Sequence, residues 1–87
     1  MNNTYQIYLI SDSTGETLER IFMALKTQFI NFKYNVQQFS FTRTENQIKK
    51  IVDKAKINEN SIILYTIVDN NLAKYLANES ENKKIPC

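Results

Sequence analysis

Ser11-Asp12-Ser13-Thr14-Gly15-Glu16-Thr17 gathers four hydroxyls around the single glycine of the chain. Hydroxyls and free backbone amides at the start of a helix form a ready anion site, and Gly15 lets a phosphate or another stretch of backbone come close. A purely structural reading fits equally well: Ser13, Thr14 and Glu16 cap the helix while Gly15 makes the turn. Asp12, Glu16 and Glu19 oppose a bare phosphate dianion, because their charges partly cancel the field of the helix end. The stretch is not a Walker loop, since it lacks the second glycine and the Lys-Ser/Thr pair that grips the β- and γ-phosphates. Arg43, one of two arginines, offers a bidentate fork to a phosphate or carboxylate, or is a plain surface arginine near a helix start. Asp69 suits a metal ion or a ribose hydroxyl, and suits a helix N-cap as well.

These residues fall between regular elements. Tyr5 to Ile10 reads as a strand, and the continuous run Ile7-Tyr8-Leu9-Ile10 predicts cover on both faces. Leu18, Ile21, Phe22, Leu25 and Phe29 recur at helical spacing, so a helix is expected from about Gly15 to Phe29, with Ser13 and Glu16 in a capping-box pattern. Tyr34 to Phe41 is a second strand, whose Asn35, Gln37 and Gln38 mark it as an edge. Thr44 and Gln47 form another capping-box pattern ahead of a helix with Ile48, Ile51, Val52 and Ala55 on its apolar face. Lys49, Lys50, Lys54 and Lys56 of that helix read as a solvated face. Ile62 to Val68 is the most hydrophobic strand and is expected to be central. Asp69 then opens a third helix with Leu72, Tyr75 and Leu76. Asn78 to Lys84 reads as a polar turn, and Ile85-Pro86-Cys87 as the start of a fourth strand.

This alternation predicts an α/β fold: a three-layer open parallel sheet, Rossmann-like or flavodoxin-like, of strand order 2-1-3 with a truncated fourth strand. In such sheets ligands sit at the carboxyl ends of the strands, where the strand order switches. That geometry alone sends Ser11–Gly15, Thr42-Arg43-Thr44 and Asp69–Asn71 to one rim.

With 87 residues there is room for one small domain. A net charge of +2 carries no argument for nucleic acid or an anionic membrane. The absence of His excludes imidazole chemistry within this chain. A lone terminal cysteine, Cys87, permits no internal disulfide and suits a reducing compartment. The longest apolar run is far short of the roughly 20 residues that cross a bilayer, and the N-terminus has no secretion pattern. A cytoplasmic protein is expected.

Tyr8-Leu9-Ile10-Ser11-Asp12-Ser13-Thr14-Gly15-Glu16-Thr17 resembles the N-terminal signature of the regulatory proteins of pyruvate, phosphate dikinase and phosphoenolpyruvate synthase. Phe41-Thr42-Arg43-Thr44, Tyr65-Thr66-Ile67-Val68-Asp69 and Ile85-Pro86-Cys87 fit the same family in the same order. The resemblance implies a bifunctional regulator of one of these two targets. Members phosphorylate a threonine of the target with ADP as donor, and reverse this with inorganic phosphate, releasing pyrophosphate. Family members are much longer and carry their nucleotide-binding P-loop in a later domain. Residues 1–87 are therefore expected to be the N-terminal α/β domain of a longer architecture, with the C-terminal P-loop domain absent. ADP, phosphate and Mg²⁺ belong to the full-length family, with none expected to bind this chain alone. The residues carried over as phosphate- or target-binding candidates are Ser11, Asp12, Ser13, Thr14, Gly15, Thr17, Thr42, Arg43, Thr66 and Asp69. No metal ligand and no catalytic residue is assigned, and the 87 residues by themselves are expected to be inactive. Homo-oligomerisation is compatible with this reading; nucleic-acid and membrane partners are not expected.

Other readings compete. Thr14-Gly15-Glu16-Thr17 after the first strand also resembles the FMN phosphate loop of flavodoxins, against which stand Asp12, Glu16 and the absence of tryptophan. A receiver-like module with Asp69 as phosphoacceptor lacks the second carboxylate after strand one. A non-catalytic interaction domain, docking through an open sheet edge, is the third.

Overall fold

A computed structural model describes residues 4–28, 33–58 and 60–87. Its elements are β1 (Thr4–Ser11), α1 (Glu16–Lys26), β2 (Lys33–Phe39), α2 (Glu45–Ile57), β3 (Ser61–Thr66) and α3 (Asn70–Asn82). The three strands are parallel in the order β2-β1-β3, the order expected from the polar second strand.

β1 holds the centre because it is apolar on both faces. Tyr8 and Ile10 pack with Ile48, Ile51, Val52 and Ala55 of α2, Ile63 of β3, Leu76 of α3 and Ile85. Ile7 and Leu9 point the other way, onto Leu18 and Phe22 of α1. The result is three layers, with α1 alone on one face and α2 and α3 on the other. Burying a large aliphatic side chain in such a core stabilises by roughly 1.5–3 kcal/mol. Rings add to it: Tyr8 stacks on Phe39 at 6.1 Å, and Phe22 meets Tyr34 edge-on at 5.6 Å.

Several expectations need correction. β3, expected at the centre, is an outer strand of the three. The Ile63 amide donates to the Pro86 carbonyl at 2.9 Å, but residues 85–87, expected to start a fourth strand, form no strand. The Ser13–Glu16 capping box does not form. The N-cap of α1 is Gly15 in the left-handed region (φ 86), which has no side chain to cap with; the first helical amide, of Glu16, instead donates to Thr14 Oγ1 at 3.4 Å. Left-handed backbone at Gly15 turns the chain too sharply for Ser13 to reach the first helical turn. Phe41 leaves β2, which ends at Phe39. The polar turn expected over 78–84 is largely helix, since α3 runs to Asn82, with Asn78, Glu81 and Asn82 exposed and Ser80 buried. Ile21 and Leu25, expected on the buried stripe of α1, are 45% and 41% exposed, because a single helix covers only part of its sheet face. Phe29 lies outside the described residues.

The other caps follow expectation. Thr44 and Gln47 form a complete capping box on α2. The Asp69 carboxylate accepts from the amides of Asn71 (2.9 Å) and Leu72 (3.0 Å). Asp69→Ala is therefore expected to cost about 1 kcal/mol in thermal or urea unfolding, and Asp69→Asn only a few tenths, because an amide oxygen accepts the same bonds. Equal losses for both substitutions would show that charge rather than capping matters at this position. The Lys face of α2 is exposed as expected, and its neighbour Asp53 pairs with Lys83, the C-cap of α3, at 3.1 Å. With side chains 50% and 32% exposed, that pair contributes at most about 1 kcal/mol.

Candidate functional site

The loop between β1 and α1 is held by its carbonyls. Ser11 O accepts from the Thr42 amide at 2.9 Å, and Asp12 O from Arg43 Nε at 3.0 Å. Ser13 O accepts from the Phe41 amide at 2.9 Å, and Thr14 O from Ser40 Oγ at 2.9 Å. Gly15 O takes the Glu19 amide at 2.9 Å and a long contact from Gln38 Nε2 at 3.5 Å. Five consecutive carbonyls thus engage donors, and outside the α1 bond those donors all come from residues 38–43. Each of these carbonyls has at least one donor, so the loop is set before any ligand arrives.

On its other side the loop is tied to β3. Thr66 Oγ1 donates to Ser11 Oγ at 3.4 Å, and the Asp12 amide donates to Thr66 O at 3.3 Å. Asp12 Oδ2 accepts from the Val68 amide at 2.8 Å. Ser11, 1% exposed, is the hub, since its Oγ also accepts from the Ser13 amide at 3.1 Å. The switch between β1 and β3 is therefore where the two outer loops converge on Ser11–Ser13, as the sheet topology required.

The ten candidates divide by exposure. Ser11 and Thr42 are buried, and Thr42 Oγ1 donates inward to Phe39 O at 3.3 Å. Thr66 spends its hydroxyl on Ser11. Gly15 is buried too, and its missing Cβ leaves space already filled by Gln38 and Ser40 side chains rather than open to a ligand. These four build the loop. Ser13, Thr14, Thr17 and Arg43 are exposed around it. The carboxylates of Asp12 and Asp69 each accept from backbone amides, which fixes their position. Glu16 and Glu19 remain exposed in the first turn of α1. The rim can thus offer hydroxyls, the α1 amides that follow Glu16 and one guanidinium to an anion of modest charge.

No lysine follows a glycine-rich loop here, and among the described residues no three His, Cys, Asp or Glu side chains come together in a way that would hold a metal ion. Away from the rim, the Tyr75 phenol of α3 has its pKa raised, first by desolvation and then by the carboxylates of Glu79, Glu45 and Asp53, and so stays neutral through physiological pH. Among the described residues no helix is long and apolar enough to cross a membrane.

The sequence pointed to the polar residues of the rim but not to its apolar ones. Phe41 is 51% exposed with φ 55, and Val68 is 86% exposed. Gln38 and Ser40, which clamp the loop, were also missed as positioning residues, whereas Gln47 was expected in the α2 capping box. The polar Gln38 inside a strand and the Phe41-Thr42-Arg43-Thr44 run were the available signals.

Parallel sheet, switch-point rim and helix-start loop define an open-sheet, Rossmann-like domain. The chain belongs to the kinase/pyrophosphorylase family, whose family model matches residues 7–87. It is 69% identical over all 87 residues to a protein of Pelagibacter ubique named as a pyruvate, phosphate dikinase regulatory protein, covering 32% of that relative. Proteins of the same name from Geotalea uraniireducens and Ligilactobacillus salivarius are 42% and 43% identical over 92% and 83% of this chain, which covers 29% and 26% of them. The chain thus spans about a third or less of the length of these curated relatives.

Proposed function

We propose that this chain forms one wall of the phosphoryl-transfer cleft of a regulator of pyruvate, phosphate dikinase. In this reading the β-phosphoryl group of ADP passes to a target threonine, leaving AMP. In the reverse reaction inorganic phosphate attacks the phosphothreonine, restoring the hydroxyl and releasing pyrophosphate. The names of the relatives favour the dikinase over the synthase as target. The observation that carries the reading is the loop Ser11–Gly15, whose carbonyls are all engaged while Ser13, Thr14, Thr17 and Arg43 stand exposed beside it. Phosphoryl transfer demands positioning and charge stabilisation. This wall supplies the positioning, and the nucleotide and its metal are held by chain beyond these residues.

Two measurements test this. Titrating the ¹⁵N-labelled chain with inorganic phosphate is expected to shift the amides of Ser13 to Thr17 and the Arg43 Nε resonance; an unchanged spectrum at these positions overturns the reading. The purified 87-residue chain, incubated with ADP, Mg²⁺ and the dikinase, is expected to yield no phosphothreonine by mass spectrometry. Phosphothreonine formation would put the nucleotide site within this chain and sink the division of labour.

A further inference from the structure

Phe41 sits in the left-handed region at φ 55, a conformation that glycine takes freely and a bulky side chain resists. Non-glycine residues held this way concentrate at binding and switch sites, where surrounding bonds over-determine them. The bonds are present here. The Phe41 amide donates to Ser13 O at 2.9 Å, Gln47 Nε2 reaches Phe41 O at 3.4 Å, and the next amide, of Thr42, donates to Ser11 O at 2.9 Å. Their effect is to hold a phenyl ring 51% exposed instead of letting it continue β2 into the sheet.

The ring has a cation beside it. The Arg43 guanidinium carbon lies 5.2 Å from the Phe41 ring centroid, and Nε of the same arginine is anchored on Asp12 O. On the far side of Asp12, Val68 is 86% exposed, its amide fixed by the Asp12 carboxylate. The loop Asp12–Ser13 is thus tied to the exposed Phe41 through Ser13 O, to the Arg43 guanidinium through Asp12 O, and to the Val68 backbone through the Asp12 carboxylate. A free anion needs no phenyl ring. A polypeptide segment with an apolar side chain close to an anionic or phosphorylated one matches both halves of the surface.

Resting on the function proposed above, we infer that Phe41, with the Arg43 guanidinium over its ring, is the apolar anchor that docks the acceptor segment of the dikinase, making Phe41 a specificity-determining residue. The segment it fits carries an apolar residue beside the threonine that receives the phosphoryl group.

The strained backbone makes the test selective. Phe41→Gly removes the ring but relieves the positive φ, so the melting temperature of the 87-residue chain is expected to stay level or rise. Binding of that variant to immobilised pyruvate, phosphate dikinase, read by biolayer interferometry, is expected to weaken at least tenfold against the parent chain. Phe41→Tyr keeps the ring and is expected to bind within threefold of the parent. Undiminished binding by Phe41→Gly overturns the inference, as does a parent chain that does not bind the dikinase. So does an ADP titration that shifts the Phe41 ring resonances in the absence of the dikinase, which would make the ring a nucleobase platform. The phosphate titration of the preceding section separates the two ideas. Phosphate shifts at Ser13–Thr17 with undiminished binding by Phe41→Gly leave the cleft wall standing and remove only the anchor; absent phosphate shifts remove the cleft wall whatever Phe41 does.

Discussion

Leu76→Ala is expected to destabilise the chain by about 2–5 kcal/mol, the range for truncating a fully buried leucine. A domain of this size holds only about 5–15 kcal/mol in total. At about 4–8 °C per kcal/mol for small domains, the melting temperature is expected to fall by on the order of 10 °C or more. Leu76 is completely buried and joins α3 to the cluster formed by Ile10, Ile48, Val52 and Ile63. Leu25, on the opposite face, is 41% exposed, so Leu25→Ala is expected to change stability by no more than about 0.5 kcal/mol. Thermal denaturation followed by circular dichroism compares the two. Equal losses would mean that the α1 face is as tightly packed as the α3 face, against the exposures observed. Because α3 begins at the cap that Asp69 provides next to Val68, the Leu76 variant should also disturb the Asp12–Val68 contact at the rim.

Gly15→Ala is expected to cost about 1–2 kcal/mol, the penalty for placing a side chain in the left-handed region. Two effects compete at this position, and their sizes decide between them. An added Cβ would lie 2.5 Å from Gln38 Nε2, but that atom is the far end of a flexible side chain and swings away, giving up only a 3.5 Å contact to Gly15 O. The backbone at φ 86 has no such escape, because the Ser13, Thr14 and Gly15 carbonyls are all engaged. The penalty is therefore expected to persist when Gln38→Ala is made in the same chain, and to shrink for Gly15→Asn, since asparagine tolerates this region better. Urea unfolding of the three variants reads this out. A penalty that disappears in the Gln38→Ala background would assign it to the clash instead.

Family membership leaves the FMN-loop and receiver-like readings without support, and the geometry explains why the local pattern invited them. A hydroxyl-rich loop with one glycine after the first strand is common property of switch-point loops, whatever they bind. What distinguished this chain was the ordered set of separate motifs, and three of these converge in space. Ser11–Thr17, Phe41–Thr44 and Thr66–Asp69 are linked through Ser11 and Asp12.

The amino-acid sequence by itself determined the alternation of elements, the strand order, the α2 and α3 caps and the rim to which the polar residues go. Each of these follows from local periodicity, a capping side chain or the handedness of crossovers, so no distant contact is needed to read it. Tertiary structure alone decided that Gly15 rather than Ser13 ends the loop, that Thr42 turns inward, and that Phe41 leaves the strand to stand exposed. Those outcomes depend on which carbonyl meets which donor across about 30 residues of chain, as when the Phe41 amide donates to Ser13 O and Arg43 Nε to Asp12 O. A residue's own type carries no record of such a partner. The same hydroxyl can cap, anchor or face a ligand, and only the neighbour that the fold brings to it selects among them.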